Sequence, residues 1–375
     1  MKIILDSQAF NYQKYGGVSR YYTEIFSELQ KNKSVAIDTP WFFTKNIYYK
    51  ESTLFSKKQK QKTFWLGLLD NLGISIRKKS QKLNFSETKN RVLENNFDVF
   101  VPTYFDPYFL DFIGQKPFVL TVYDMIHELF PGYFSDAEKM KENKLLLIEK
   151  ATRIIAVSQN TKKDILQLYP HIDASKIDVI YHGTSITVEE DKNINLPSNY
   201  ILYIGSRAQY KNFDFLLQAV KELLKENPDL YLVCAGGGEF SKQEKEHLKS
   251  LALENQIIQK DFEENQLGQF YKKAKCFVFP SLYEGFGIPV LESMACGCPV
   301  VLGNHSSFPE VAENAGVYFK IDDNQDLKNK IESLLKNDIL REEFAQKGLE
   351  QVKKFTWENA SKQCLDVYKK AVSNN

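Results

Sequence analysis

The stretch from Ser281 to Val301, SLYEGFGIPVLESMACGCPVV, carries two carboxylates, Glu284 and Glu292, with seven residues between them and no other charge. The preceding CFVFPS predicts a buried strand ending at Ser281, LYEGFG a loop, and Pro289 the first turn of a helix running to about Ala295. Gly297 and Pro299 then end that helix. Backbone N–H groups of such a loop point outward into a partial positive charge, which suits an anion such as phosphate. Glu284 falls at the carboxyl end of the strand, where open α/β sheets bind ligands. A carboxylate one turn into the helix, as Glu292 is, can accept both hydroxyls of a ribose diol, and one in the loop can hold a sugar hydroxyl. The plainer alternatives are that Glu292 offsets the helix dipole and Glu284 is a solvated loop acid.

The elements that must position these residues follow from an alternation of short β-branched runs with helical patterns, which predicts parallel sheets wrapped in helices. Strands are expected at KIILDS, TPWFF, DVFVPTY, FVLTVYD, RIIAVS and IDVIYHG in the first half, and at YILYIGS, LYLVCAG, CFVFPS, PVVLG and GVYFK in the second. Residues 184–200, polar and Pro-containing, read as a linker. The expectation is therefore two α/β domains, 1–185 and 186–355, followed by a helix over 356–375 that packs back on the first domain. Ala360, Cys364, Val367, Tyr368 and Ala371 give that helix an apolar stripe.

Composition narrows the partners. With 375 residues the chain fits two domains. Lys and Arg number 49 against 48 Asp and Glu, so no nucleic acid partner is indicated. The N-terminus lacks a signal-peptide core and no apolar run reaches membrane-spanning length, pointing to a cytoplasmic location. The five cysteines are scattered, as expected of reduced thiols, and Cys296 and Cys298 lack a second ligand pair at metal spacing. Residues 57–91 stand apart: ten Lys/Arg against Asp70 and Glu87 flank FWLGLLDNLGISI. This segment reads either as a solvated basic helix pair or as an interfacial element that inserts Phe64, Trp65 and Leu66 into an anionic membrane surface.

PSLYEGFGIPVLESMACGCPVV resembles the donor-site signature of the retaining glycosyltransferases of family 4, also called group 1. The resemblance implies the GT-B arrangement, α/β with two Rossmann-like domains whose parallel sheets face an interdomain cleft. The first domain would take the acceptor and the second the nucleotide diphosphate sugar. On that resemblance Gly16 and Gly17, in NYQKYGGVSRYYTEI, form the glycine-rich loop that approaches the donor. Gly205, Arg207 and Lys211, in LYIGSRAQYKNF, would meet the diphosphate. Two cations there would stabilise charge growing on the leaving group. Gly237 in VCAGGGEF, together with Gly285, Phe286, Gly287 and Glu292, would line the donor site, with Glu284 catalytic. IIQKDFEENQ would lie beside the base, and Glu310 in SSFPEV would support the site.

One departure stands out. The family's His-Asp pair is represented by Tyr123-Asp124, with His127 three residues beyond Asp124. Asp124 and His127 are therefore candidate catalytic residues, and either Tyr123 or His127 fills the histidine's place. The implied activity is transfer of a hexose, mannose-like favoured, to a glycan or lipid-linked glycan hydroxyl with retention. No cofactor and no metal are expected, since Arg207, Lys211 and a helix dipole do the electrostatic work. The alternatives are a nucleotide-sugar epimerase on the same architecture and a non-catalytic relative that binds nucleotide or membrane.

Overall fold

The computed structural model describes residues 1–373 apart from Phe42, Lys58, 65–76 and 190–193, and the side chains of 77–79. The chain divides into two compact units, Met1–His182 with Trp357–Asn375, and Gly183–Thr356. In the first, β1 (Lys2–Leu5), β2 (Ala36–Asp38), β3 (Val99–Val101), β4 (Val119–Val122), β5 (Arg153–Ala156) and β6 (Ile177–Val179) pair in the orders β2-β1-β3 and β4-β5-β6. Every pairing is parallel, and a bridge between Phe100 and Phe118 joins the two ladders.

Strands covered on both faces must be apolar at successive positions, and β1 shows it. Ile3 and Leu5 enter one core with helices Gly17–Gln30 and Trp357–Ser373, while Ile4 enters the other with Leu147 and Ile148. Helix Gly17–Gln30 buries Tyr21, Tyr22, Ile25, Phe26 and Leu29, the spacing of one helical face. Against it, Trp357–Ser373 sets Tyr368 at 6.2 Å from Phe26, ring centre to ring centre, and the Cys364 Sγ at 3.5 Å from the Tyr21 hydroxyl.

Two sequence expectations need correction. The described residues of TPWFF, Thr39 to Trp41 and Phe43, are not strand: the edge strand lies earlier, at Ala36–Asp38, because Pro40 offers no N–H to a ladder and Trp41 turns inward to stack on Phe10 at 5.1 Å. IIQK, taken only as part of a base-binding stretch, contains a strand (Ile257–Lys260); as an edge strand with one buried residue, Ile257, it gives little apolar signal.

The second unit holds β7 (Tyr200–Ile204), β8 (Tyr231–Ala235), β9 (Ile257–Lys260), β10 (Cys276–Phe279), β11 (Val300–Gly303) and β12 (Gly316–Phe319). They form one parallel sheet in the order β12-β11-β10-β7-β8-β9. The direction of winding reverses between β7 and β10, the position at which open α/β sheets bind ligands beyond the carboxyl ends of their strands. All five cysteines are free and buried, and burial pushes the Cys296 and Cys298 thiols up to about 12. None of the described helices is long and apolar enough to cross a membrane.

Candidate functional site

The reversal between β7 and β10 brings Lys211 and Glu284 together from positions 73 residues apart, Nζ to Oε1 at 2.6 Å. Lys211 arrives on a short turn, Gln209–Lys211, after β7, and Glu284 on the loop after β10. The Leu282 N–H donating to the Tyr210 carbonyl at 2.8 Å ties the two loops. Both side chains are mostly buried, 16% and 17% exposed. Burial alone would push the Lys211 ammonium down, but Glu284 and Tyr210 outweigh it and its pKa is raised. Lys211 therefore stays protonated near neutrality.

The Glu284 backbone is clamped from the loop after β11. The Ser306 hydroxyl donates to the Glu284 carbonyl at 2.6 Å and accepts from its N–H at 3.1 Å. Ser307 donates to the carbonyls of Glu284 and Phe286, each at 2.9 Å, and a His305 ring nitrogen lies 3.0 Å from the Ser281 carbonyl. Gly285, Phe286 and Gly287 are buried, with Gly287 preceding helix Ile288–Ala295, and the Phe286 ring packs edge-on against Phe355. Phe286 thus supplies core, and only its backbone faces the turn's hydrogen bonds. Glu292 lies one turn into that helix. It is 4% exposed, and its Oε2 accepts the Tyr271 hydroxyl at 3.0 Å.

Arg207 lies beside the glycine turn after β8. A Cβ at Gly237 would come within 2.4 Å of the Gly205 carbonyl and 3.1 Å of Arg207 Nη1, so the two turns pack backbone to backbone. Arg207 Nε donates to Glu244 Oε1 at 2.5 Å, and Nη2 to the carbonyls of Gly238 and Glu239 at 3.0 and 3.1 Å. Burial would raise the Glu244 carboxyl, but the bonds from Arg207 and Ser241 overcome it and hold it below the usual range.

In the other unit, Gly16 precedes helix Gly17–Gln30, and the Gln13 Oε1 accepts the Ser19 N–H at that helix start at 3.0 Å. Asp124 Oδ1 accepts the Ile126 N–H at 3.1 Å at the start of the turn that carries His127. Beneath them lies Lys144, fully buried, donating to the Asp124 carbonyl at 3.0 Å and to Glu128 at 2.9 Å. Burial and then Lys144 lower the His127 pKa, so its ring is neutral at neutral pH. Tyr123 sits among Tyr21, Tyr22 and Phe105, its ring contributing to the core. In SSFPEV sequence reasoning singled out Glu310 where the structure brings Ser306 and Ser307 to the Glu284 backbone, and it missed Glu244, Tyr271, Lys144 and Glu128 altogether. Of these only Glu244 had a readable signal, the Ser-x-x-Glu of a capping box at Ser241.

Residues 185–351 match the family described as Glycosyl transferases group 1, and residues 70–188 match Glycosyltransferase Family 4, so the two run unbroken from 70 to 351. The chain belongs to the family 4 glycosyltransferases. Among curated relatives of this family 4 chain, it is 32% identical over 236 residues to O-antigen chain mannosyltransferase B of Escherichia coli, covering 59% of this chain and 61% of that one. O-antigen chain mannosyltransferase RfbU of Salmonella typhimurium is 28% identical, with 56% and 59% covered. The matched stretches thus span about three fifths of those relatives' lengths. Among solved structures, Anabaena Alr3699/HepE in complex with UDP and glucose superposes with a TM-score of 0.71 at 17% identity, over 98% of this chain and 99% of that one. Sucrose-phosphate synthase from Thermosynechococcus elongatus gives 0.74 at 17% identity, over 100% and 99%. The likeness is one of fold: this family 4 glycosyltransferase has the GT-B fold of two Rossmann-like domains.

Proposed function

We infer that the chain transfers a hexose of the mannose type from a nucleotide diphosphate sugar to a hydroxyl of a surface glycan or lipid-linked glycan, with retention at the anomeric carbon. The observation that carries this reading is the Lys211–Glu284 pair at the winding reversal, with Arg207 on the same loop after β7. Two cations near a diphosphate lower the barrier by stabilising the charge that develops on it, an effect worth several kcal/mol in a preorganised site. Glu284, held by two serines, is stiff enough to orient a sugar hydroxyl. The donor's own departing phosphate oxygen takes the acceptor proton on the same face, so the protein positions and neutralises rather than attacks. No metal is needed where lysine and arginine supply the positive charge. The mannose preference rests on the relatives named mannosyltransferase, and the nucleotide donor is supported by neighbours solved with UDP or UDP-glucose.

The acceptor side is assigned to the first unit, and contact with an anionic membrane face, from a cytoplasmic location, to the basic segment 57–91. There Phe64 and Leu83 are exposed and helix Arg77–Leu93 is strongly basic, while Trp65 and Leu66 lie outside the described residues. The test is a panel of GDP-, UDP- and ADP-hexoses with a lipid-linked glycan acceptor and EDTA, reading nucleotide diphosphate release and product anomer by NMR. One donor series should turn over, with retained configuration and no response to EDTA. Inversion, loss of turnover in EDTA, or donor change without acceptor would each overturn the corresponding part of the reading.

A further inference from the structure

The guanidinium of Arg207 has five N–H donors in a planar fork. Three are used: Nε on Glu244, and the two of Nη2 on the carbonyls of Gly238 and Glu239. The two on Nη1 have no partner among the described residues, although that atom is shielded from solvent and the side chain is only 5% exposed. Leaving a buried cationic donor unmade is costly, so such an atom marks a place where something is meant to bind. The ring of Phe240 underlies the guanidinium at 4.6 Å and removes its remaining freedom to tilt.

What aims the fork is Glu244. Its Oε1 takes Arg207 Nε at 2.5 Å, and its Oε2 accepts the Ser241 N–H at 2.7 Å, closing a capping box at the start of helix Lys242–Ser250. The carboxylate is thus itself fixed by a helix end. The same helix start follows the glycine turn whose carbonyls hold Nη2, so one short segment, 238–244, sets three of the five donors.

We propose that Glu244 is a positioning residue: it orients Arg207 so that the Nη1 pair is left for an oxygen of the nucleotide's diphosphate. This rests on the reading of Arg207 as a diphosphate contact given above. Two effects of the carboxylate oppose each other. As a charge it weakens attraction of an anion to Arg207, and as a fixed acceptor it holds the fork in register. Misplacing a reacting group by an ångström can cost on the order of a hundredfold in rate, and a planar fork that must meet a phosphate oxygen is sensitive to position in the same sense, whereas a partly exposed charge is screened, so register should win.

The experiment is titration of the intact chain by calorimetry with GDP and GMP, UDP and UMP, and ADP and AMP, reading the preference for diphosphate over monophosphate in the series that binds. Four variants are compared: E244A, E244Q, R207A and S241A. R207A should abolish the preference. E244A should reduce it about tenfold or more, and E244Q, whose one amide oxygen can still accept from Arg207 Nε while its NH2 loses the Ser241 bond, should restore part of it. S241A weakens the same helix cap without touching Arg207 and should keep the wild-type preference. A preference in E244A equal to or above wild type, with R207A defective, would overturn the role of Glu244 while sparing Arg207. Equal losses in S241A and E244A would make Glu244 a helix cap only. An unaltered preference in R207A would remove the diphosphate reading of Arg207 and the role of Glu244 with it.

Discussion

At the residue scale, the Lys211–Glu284 pair decides whether the site is assembled or merely present. Its members are short-range partners in a mostly dry pocket, so removing one leaves the other desolvated and uncompensated. K211A and E284Q are expected to lower turnover by about a hundredfold or more, the scale of losing one preorganised electrostatic contact. Each should also lose about 1–3 kcal/mol of stability, below the fully buried range because both side chains keep some water. The double variant K211A/E284Q should lose less stability than the two single losses together and regain none of the turnover. Urea unfolding and initial rates on the four proteins measure both, and additive stability losses would mean that the 2.6 Å contact carries no coupling.

At the element scale, the glycine turns after β7 and β8 form one packed unit. Gly237 and Gly238 both sit at positive φ, +72° and +77°, so an alanine at either pays the left-handed penalty of about 1–2 kcal/mol. Only at Gly237 does the added carbon meet backbone, at 2.4 Å from the Gly205 carbonyl, and the Arg207 guanidinium behind it. At Gly238 nothing lies within 4 Å. G238A should therefore show the conformational cost alone and keep nucleotide affinity, while G237A should be less stable still and bind nucleotide diphosphate at least tenfold more weakly. Thermal melts with and without nucleotide separate the two, and equal behaviour would show that the turns do not need their close approach.

At the scale of the molecule, the first unit carries two buried titrating groups whose effects on stability oppose. Asp6, fully buried, is raised by burial to about 6 despite bonds from Gln8 and Thr103. His182, caged by Tyr21 and Trp357, is lowered by burial to about 3. Between about pH 4 and 6 the native chain holds the Asp6 proton that the unfolded chain has released, so this group's contribution falls as pH rises. Over the same window the unfolded chain protonates His182 and the native chain does not, so that contribution grows as pH rises. Each slope is about 1.4 kcal/mol per pH unit and they nearly cancel. Relative to wild type, D6N should then gain stability from pH 4 to 6 and H182F should lose it. Below pH 4, of these two groups, only His182 still separates the native from the unfolded chain, so wild type and D6N should change in parallel. Melting temperatures across that range check the signs, and parallel profiles for the two variants would refute the opposition.

Much of this was legible before folding because its causes are local. A run such as YILYI must lie in a covered strand, Pro289 and Gly297 bound a helix on either side, and Glu284 with Glu292 in a glycine-rich stretch stood out without any partner in view. TPWFF and IIQK failed for physical reasons too: Trp41 is apolar because it packs on Phe10 outside any strand, and the true edge strands, Ala36–Asp38 and Ile257–Lys260, have little burial to write into their sequences. What only the tertiary structure decided are the pairings across long separations: Lys211 with Glu284, Arg207 with Glu244, and Tyr271 with Glu292. None follows from spacing, because each is set by which strands become neighbours in the sheet and where their loops emerge. Sequence alone specified the kinds of element and the chemical groups on them. The order β12-β11-β10-β7-β8-β9, by reversing between β7 and β10, determined which of those groups meet.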